Sequence, residues 1–200
     1  GDIRLTGDDA PSQVITNAAP TAQKVSVATD VLNVEIDTSR GDIVGLTLPQ
    51  FPLTKGSEEP YVLMRKLPGF EYTAQSGLIG ADGPDDQTNS RQPYQFEQQQ
   101  YQLSENSDEL VVPLTTNFNG LKIEKRFIFS RGKYDVRVEY LIENQSDVSK
   151  RFQPYQHLAQ NIDNGESSSM MMPIYRGAAY GTSEERYEKY DFDDMAKKNL

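Results

Sequence analysis

A chain of 200 residues is long enough to bury a substantial core and fits either one large β-sandwich or two small domains. Its 20 basic and 30 acidic side chains give a net charge of −10, which argues against nucleic acid or an anionic membrane surface as partner. Cysteine is absent, which excludes disulfides and thiolate metal sites.

The first 23 residues differ in composition from the rest of the chain. They contain no aromatic residue and only four large apolar ones, and Ala, Thr, Pro, Gln and Asp dominate. Such a segment cannot offset its ordering entropy by burial. We therefore predict a flexible polar linker over 1–23 and a folded domain over 24–200. The composition of 1–23 would suit a membrane tether, and it would equally suit an ordinary disordered tail.

Alternating apolar residues begin at Lys24 and predict strands up to Asp37 and again over 44–48. The turn between them contains the tripeptide Arg40-Gly41-Asp42, which is also an adhesion motif. Because a hairpin loop favours Gly and Asp, we interpret the tripeptide as a turn.

Short strands are predicted over 61–64 and 70–75, followed by a segment over 76–93 that is rich in Gly, Asp, Pro and Asn. Three of its acids could gather around a calcium ion: these are Asp82, Asp85 and Asp86. Their spacing does not match the regular 12-residue calcium loop. A long irregular loop is the interpretation we adopt.

The strongest local pattern is a hairpin over 121–144. Ile123, Phe127 and Phe129 alternate with polar residues, and a second alternating run follows a break that contains Gly132. Further strands are predicted over 94–103, 110–116 and 151–162, and Pro113 suggests an edge or bulge position for the second of these. Strands spaced in this way predict an all-β sandwich or barrel of antiparallel strands.

One short helix is predicted near the C terminus. Thr182 to Glu185 form a capping box, and Tyr187 and Tyr190 are spaced i, i+3. The helix would cover 182–194 and would be acidic and exposed.

Catalytic motifs are weak throughout the sequence. His157 is the only histidine, and without further nitrogen or sulfur ligands it cannot build a zinc site. The sequence shows no phosphate-binding loop or nucleophile elbow. We therefore predict a protein that is not an enzyme, with no catalytic residue, no metal and no cofactor.

Several blocks of the chain together resemble the first periplasmic domain of the YidC family of bacterial inner-membrane protein insertases. The blocks occur in the family's order across residues 24–200. The most specific of them are Gln75-Ser76-Gly77-Leu78, Asp82-Gly83-Pro84-Asp85, Arg176-Gly177-Ala178-Ala179-Tyr180 and Tyr187-Glu188-Lys189-Tyr190.

The resemblance implies a β-supersandwich of the galactose-mutarotase-like type on the periplasmic face of the inner membrane. It implies that the linker over 1–23 follows a transmembrane helix, so that a soluble domain belongs to a membrane-embedded parent. Insertion or chaperoning of nascent membrane proteins would be carried out by the full-length protein. The family's periplasmic domain is associated with the SecDF accessory subunits of the Sec translocon.

We therefore expect an interaction platform beside the translocon. The expected partner-binding residues combine tyrosines, an arginine and acids: Arg176, Tyr180, Glu184, Glu185, Tyr187, Glu188 and Tyr190. Tyrosine is enriched at interface cores, and acidic rims steer basic partners. The alternatives are a carbohydrate-binding or carbohydrate-modifying sandwich, which needs a cleft lined by aromatic rings, and a module that binds extended peptides.

Overall fold

The computed structural model describes residues 21–162, 166–171 and 183–191. Residues 1–20 of the predicted linker lie outside this described part, so the linker stays a prediction. Twelve strands occur in it: β1 Lys24–Ala28, β2 Asn33–Asp37, β3 Asp42–Pro52, β4 Pro60–Leu67, β5 Phe70–Ile79, β6 Gln100–Gln102, β7 Glu109–Phe118, β8 Leu121–Ser130, β9 Asp135–Asn144, β10 Gln153–Ile162, β11 Glu166–Met171 and β12 Ser183–Asp191.

The strands form two sheets. The eight-stranded sheet has the order β11-β10-β5-β4-β3-β2-β1-β6, and the four-stranded sheet has the order β12-β9-β8-β7. Neighbouring strands are antiparallel, with the exception of the short parallel pairing between β6 and β1. The predicted all-β class with antiparallel strands is confirmed.

An apolar core lies between the sheets. Alternate residues of β1, such as Val25 and Val27, are buried together with Phe127 of β8 and Val138 of β9. Because strand side chains alternate between two faces, each sheet contributes one face to this core. The arrangement is a β-sandwich.

The predicted hairpin over 121–144 is confirmed as β8 and β9. Phe127 pairs with Val138 and Phe129 with Val136, so the apolar residues of both strands share the core face. Strand β7, which carries Pro113, is the last strand in its sheet's order. Of the two positions predicted for this proline, an edge or a bulge, the structure shows the edge, which tolerates the missing amide donor.

The helix predicted over 182–194 is wrong for residues Ser183–Asp191. These residues form β12, which pairs antiparallel with β9 along its whole length, from Ser183 opposite Glu143 to Asp191 opposite Asp135. A capping box is a local signal of about 1 kcal/mol. The open edge of β9 offers a ladder of backbone hydrogen bonds instead, and tertiary context overrides weak helix propensity.

No helix that could span a membrane occurs within residues 21–162, 166–171 and 183–191.

We expect Phe127→Ala to lower the free energy of unfolding by about 3–5 kcal/mol, because its ring is fully buried between the sheets. Urea unfolding of both variants measures the difference. Val148→Ala serves as the control, since this side chain is 64% exposed and its truncation should change stability by about 0.5 kcal/mol or less. Equal losses in the two variants would contradict the assignment of the core.

Candidate functional site

Five of the seven expected partner-binding residues lie on β12: Glu184, Glu185, Tyr187, Glu188 and Tyr190. Arg176 and Tyr180 lie outside the described residues. In the register with β9, Tyr190 is opposite buried Val136, whereas Tyr187 is opposite Glu139. β12 ends the order of its sheet, so the structure collects these five residues on an edge strand.

His157 lies in β10, where it pairs with Gln75 of β5 on one side and Met171 of β11 on the other. Its ring centroid is 6.1 Å from that of Tyr155. Within the described part of the chain, no three His, Asp or Glu side chains are grouped so that they could hold a metal ion.

The most unusual side chain of the domain is Lys125 of β8, which is completely buried. Its ammonium group donates hydrogen bonds to the carbonyl oxygens of Gly41 at 2.8 Å, Ser76 at 2.9 Å and Arg40 at 3.2 Å. It also lies 5.4 Å and 5.5 Å from the ring centroids of Phe127 and Tyr140. A lysine has three donors, and here all three find carbonyl acceptors on the opposite sheet and its β2–β3 turn.

Gly41 in the β2–β3 turn leaves the space that the side chain of Lys125 occupies. Gly41 has φ of +71°, and a Cβ atom at this position would lie 3.0 Å from Cδ of Lys125. Asp42 follows, and its carboxylate accepts a hydrogen bond from the backbone N–H of Ser76 at 3.2 Å. The Arg40-Gly41-Asp42 tripeptide is thus a turn, as predicted, and its side chains and carbonyls are used inside the domain.

Burial raises the pKa of Asp42, and the nearby Lys125 ammonium partly offsets this. Burial also raises the pKa of Tyr155 to about 12, with the Asp42 carboxylate adding to the effect. Tyr94 is buried too, and desolvation raises the pKa of its hydroxyl. These tyrosines therefore remain neutral at neutral pH.

A buried ion pair joins the two halves of the loop that follows β5. Asp85 accepts hydrogen bonds from Arg91 Nη2 at 2.9 Å and Nε at 3.2 Å, and from the backbone N–H of Leu78 at 2.8 Å. A Cβ atom at position 77 would lie 2.6 Å from the Asp85 carboxylate, so Gly77 is required by this close approach. The guanidinium of Arg91 lies 4.3 Å from the Tyr94 ring centroid.

The three acids considered for calcium have other roles. Asp82 accepts a hydrogen bond from the backbone N–H of Arg151 at 2.7 Å, and Asp86 accepts one from that of Thr88 at 3.1 Å. With Asp85 bound to Arg91, each carboxylate stabilises loop structure. The interpretation of 76–93 as a structural loop fits this geometry, although its first residues, up to Ile79, extend β5.

Lys125 was missed by the sequence reasoning, although a signal was present. It has the same parity as Ile123 and Phe127, and this places a charged residue on the buried face of a strand. A lysine at such a position needs acceptors, and those come from residues 40, 41 and 76, which no local pattern connects with it.

A groove of about 750 Å³ lies on the outer face of the eight-stranded sheet, away from the core. It crosses the five neighbouring strands β6, β1, β2, β3 and β4. The residues lining it include Val62 and Leu67, which are exposed apolar residues of β4. Tyr101 of β6 is the only aromatic residue in this lining, and it packs against the core. Its size is within the range of about 300–1,000 Å³ that is usual for ligand sites.

Two of the three basic residues that line the groove are paired with carboxylates. Lys24, Arg65 and Lys66 line it together with one carboxylate, that of Glu35. Lys24 lies 3.5 Å from Glu35, and Lys66 lies 3.6 Å from Glu71 outside the groove. Such exposed pairs contribute only about 0–1 kcal/mol and exchange readily with other partners.

Comparison with known proteins identifies the family. A family model described as the YidC periplasmic domain matches residues 24–200. The chain belongs to this family. The blocks around Gly77 and Asp85 that resemble it are the same ones that build the buried ion pair with Arg91.

Three curated relatives are named membrane protein insertase YidC. The chain is 42% identical to the protein of Vibrio atlanticus over 194 residues, which are 96% of this chain and 35% of the relative. It is 43% identical to the protein of a Shewanella species over 193 residues, which are 96% of this chain and 36% of the relative. It is 45% identical to that of Pseudoalteromonas translucida over 177 residues, 88% of this chain and 32% of the relative. The chain thus spans about a third of the relatives' length. As a YidC periplasmic domain it lies on the periplasmic face of the inner membrane.

We expect Lys125→Met to destabilise the YidC periplasmic domain by about 3–5 kcal/mol, because removing one partner leaves Asp42 and three carbonyl groups without their cation. Lys122→Met on the same strand is the matched control, since Lys122 is exposed. Thermal and urea unfolding measure both. A melt of the Lys125 variant equal to that of the control would disprove the role of the ammonium group.

The raised pKa of Asp42 predicts a pH dependence of stability. Between its ordinary value of 3.8 and the raised value, the folded state binds more protons than the unfolded state. The free energy of unfolding should therefore fall as pH rises through this window and level off above it. Asp42→Asn keeps an oxygen acceptor for the Ser76 amide and removes the titration. Urea unfolding from pH 4 to 7 should give a flatter profile for this variant, and parallel profiles would contradict the prediction.

Proposed function

We propose that this domain is a non-catalytic interaction platform of a membrane protein insertase, and that the strand β12 docks the SecDF accessory subunits of the Sec translocon. The full-length protein would insert and chaperone nascent membrane proteins beside the translocon. The observation that carries the proposal is the position of β12 at the end of its sheet.

An edge strand is suited to docking because its outer backbone groups can pair with another chain. β12 also carries four acids and two bases: Glu184, Glu185, Glu188, Asp191, Arg186 and Lys189. An acidic edge steers a basic partner and discourages association with acidic ones. Tyr187 and Tyr190 add the residue type that interface cores favour.

The chemistry of the buried groups supports a role without catalysis. The three donors of Lys125 are bound to carbonyl groups, and the carboxylate of Asp85 is bound to Arg91 and to a backbone amide. A catalytic acid, base or nucleophile needs access to substrate and a pKa near the working pH. These groups are closed off and stabilise the fold instead.

A second candidate function is favoured by the groove. Of the two alternative ligand classes, carbohydrate would require stacking on aromatic rings, and Tyr101 is the only such residue among those lining it. Exposed apolar and amide side chains suit an extended peptide better. We therefore propose peptide binding as a second activity of the same platform.

Replacing Glu184, Glu185 and Glu188 by Lys in the full-length insertase tests the docking proposal. We expect co-purification with SecDF to be lost, since the charge of the edge is inverted, while the melting temperature stays close to that of the wild type. The matched control inverts Glu97, Glu105 and Asp108, which are exposed acids away from β12. Unchanged co-purification at low salt, or an equal loss in the control, would refute docking at β12.

A further inference from the structure

The two ends of the small sheet differ in how they are protected from other chains. At one end, β7 carries Pro113, which has no amide donor, and its Thr115 exchanges two backbone hydrogen bonds with Gln95, at 2.7 Å and 2.9 Å. At the other end, β12 contains no proline, and among the described residues no strand pairs with its outer side. An unprotected edge strand is a template for pairing with another chain. β12 is therefore the end at which this sheet can be extended.

The charges of β12 are complementary to themselves about its central residue, Tyr187. Read outward from Tyr187 in the two directions, the strand has opposite charges at each of the next two positions: Arg186 and Glu188 come first, and Glu185 and Lys189 come second. In an antiparallel pair of two such strands centred on Tyr187, Arg186 lies opposite Glu188 of the other copy and Glu185 lies opposite Lys189. The two-fold symmetry repeats both pairs, so four pairs of opposite charge result.

The pairing of β12 with β9 limits the registers that a second copy can adopt. Alternate residues of a strand direct their backbone groups to the same neighbour, and two residues directly opposite in an antiparallel pair must share this parity. Because β9 fixes the parity identically in both copies, a two-fold axis must pass through a residue and not between two residues. β12 covers nine residues, so axes through positions 185 to 189 allow five or more residues of each strand to pair.

All but one of these axes place like charges directly opposite each other. An axis through residue 185, 186, 188 or 189 brings that residue opposite itself in the second copy, and each of the four is charged. Like charges at directly opposite positions destabilise a pair of strands, and opposite charges stabilise it. The axis through the uncharged Tyr187 avoids every such conflict, since it places Tyr190 opposite Glu184 and Asp191 opposite Ser183 at the ends.

We propose that β12 pairs antiparallel with β12 of a second copy of this chain, across a two-fold axis through Tyr187, so that the two small sheets form one continuous sheet. A two-fold interface uses the same surface of both partners, and a self-complementary strand meets this requirement. The net charge of −10 makes two copies repel each other in general. The charge pattern of β12 therefore selects both the edge and the register at which they associate.

This pairing occupies the edge at which docking of SecDF is proposed, and one strand edge accepts a single partner at a time. Self-association then keeps the docking edge closed until the accessory subunits displace the second copy. This regulatory consequence rests on the proposed docking, whereas the pairing itself rests on the register and charges of β12. The two proposals are therefore measured separately, by trapping of the dimer and by co-purification.

The absence of cysteine from the chain makes disulfide trapping a direct test. Residues directly opposite in an antiparallel pair have Cα atoms about 4.5–5.5 Å apart, a distance that a disulfide can bridge. We expect Tyr187→Cys to form a disulfide-linked dimer under mild oxidation, in the 200-residue chain and in the full-length insertase with any other cysteine replaced. Tyr190→Cys is the matched control, because the two copies of this position would be six residues, or about 20 Å, apart along the strands.

A mixture of two variants tests the register without altering the four ion pairs. Glu184→Cys and Tyr190→Cys introduce cysteines at positions that lie opposite each other in the proposed register. The mixture should therefore cross-link, while either variant alone should give at least about tenfold less dimer. Thermal unfolding checks that each variant is folded, and this mixture replaces Tyr187→Cys as the test if that variant does not fold.

Charge variants test the ion pairs. Arg186→Glu places an acid opposite Glu188 and should lower the trapping of Tyr187→Cys about tenfold. Adding Glu188→Arg places opposite charges together again and should restore trapping, and it also restores the net charge of β12. Lys55→Glu makes the same change in net charge as Arg186→Glu at an exposed turn away from β12 and should leave trapping unchanged.

Several outcomes would overturn the pairing: trapping at residue 187 no stronger than at residue 190, a mixture no more reactive than its components, or no rescue by Glu188→Arg. Excess SecDF should reduce trapping of Tyr187→Cys in the full-length insertase. Unchanged trapping while SecDF co-purifies would show that SecDF docks elsewhere, and the pairing would stand. Absence of trapping with normal co-purification would refute the pairing and leave the docking proposal intact.

Discussion

The ammonium group of Lys125 is the contact on which the sandwich depends for its alignment. Lys125 extends from the small sheet through the core and binds three carbonyl oxygens of the large sheet and its β2–β3 turn. A cation in this position cannot move to another register without losing all its acceptors, which would leave a buried charge without hydrogen bonds. We infer that Lys125 contributes more to a single arrangement of the sheets than to net stability, as buried ionic groups do in some proteins.

Around this contact the polar interior is organised in two linked parts. Asp42 lies beside Lys125 and Ser76, and Asp85 binds Arg91 and the amide of Leu78 next to it. Arg40 connects the parts, because its guanidinium donates to the carbonyl oxygen of Asp85 at 3.3 Å. This network fixes the loop after β5 against both sheets, which explains why glycine-rich and aspartate-rich blocks lie in the interior of an otherwise apolar sandwich.

The same fold separates two surfaces. β12, with its acids, ends the small sheet, and the groove lies on the outer face of the large sheet. Because the two features belong to different sheets, a substitution in one leaves the residues of the other unchanged.

The sequence by itself determined the all-β class, the β8–β9 hairpin and the family, because alternation of apolar residues and short blocks are local signals. The tertiary structure decided what local signals cannot encode. Ser183–Asp191 became a strand because β9 has an open edge to pair with, and a capping box contributes too little to prevent it. The acceptors of Lys125 are 49 to 85 residues away in sequence, and the groove joins strands from Lys24 to Gln102. The Lys125 site exists only once the two sheets have packed, and the groove exists only once its five strands have paired, since both join residues that are distant in sequence.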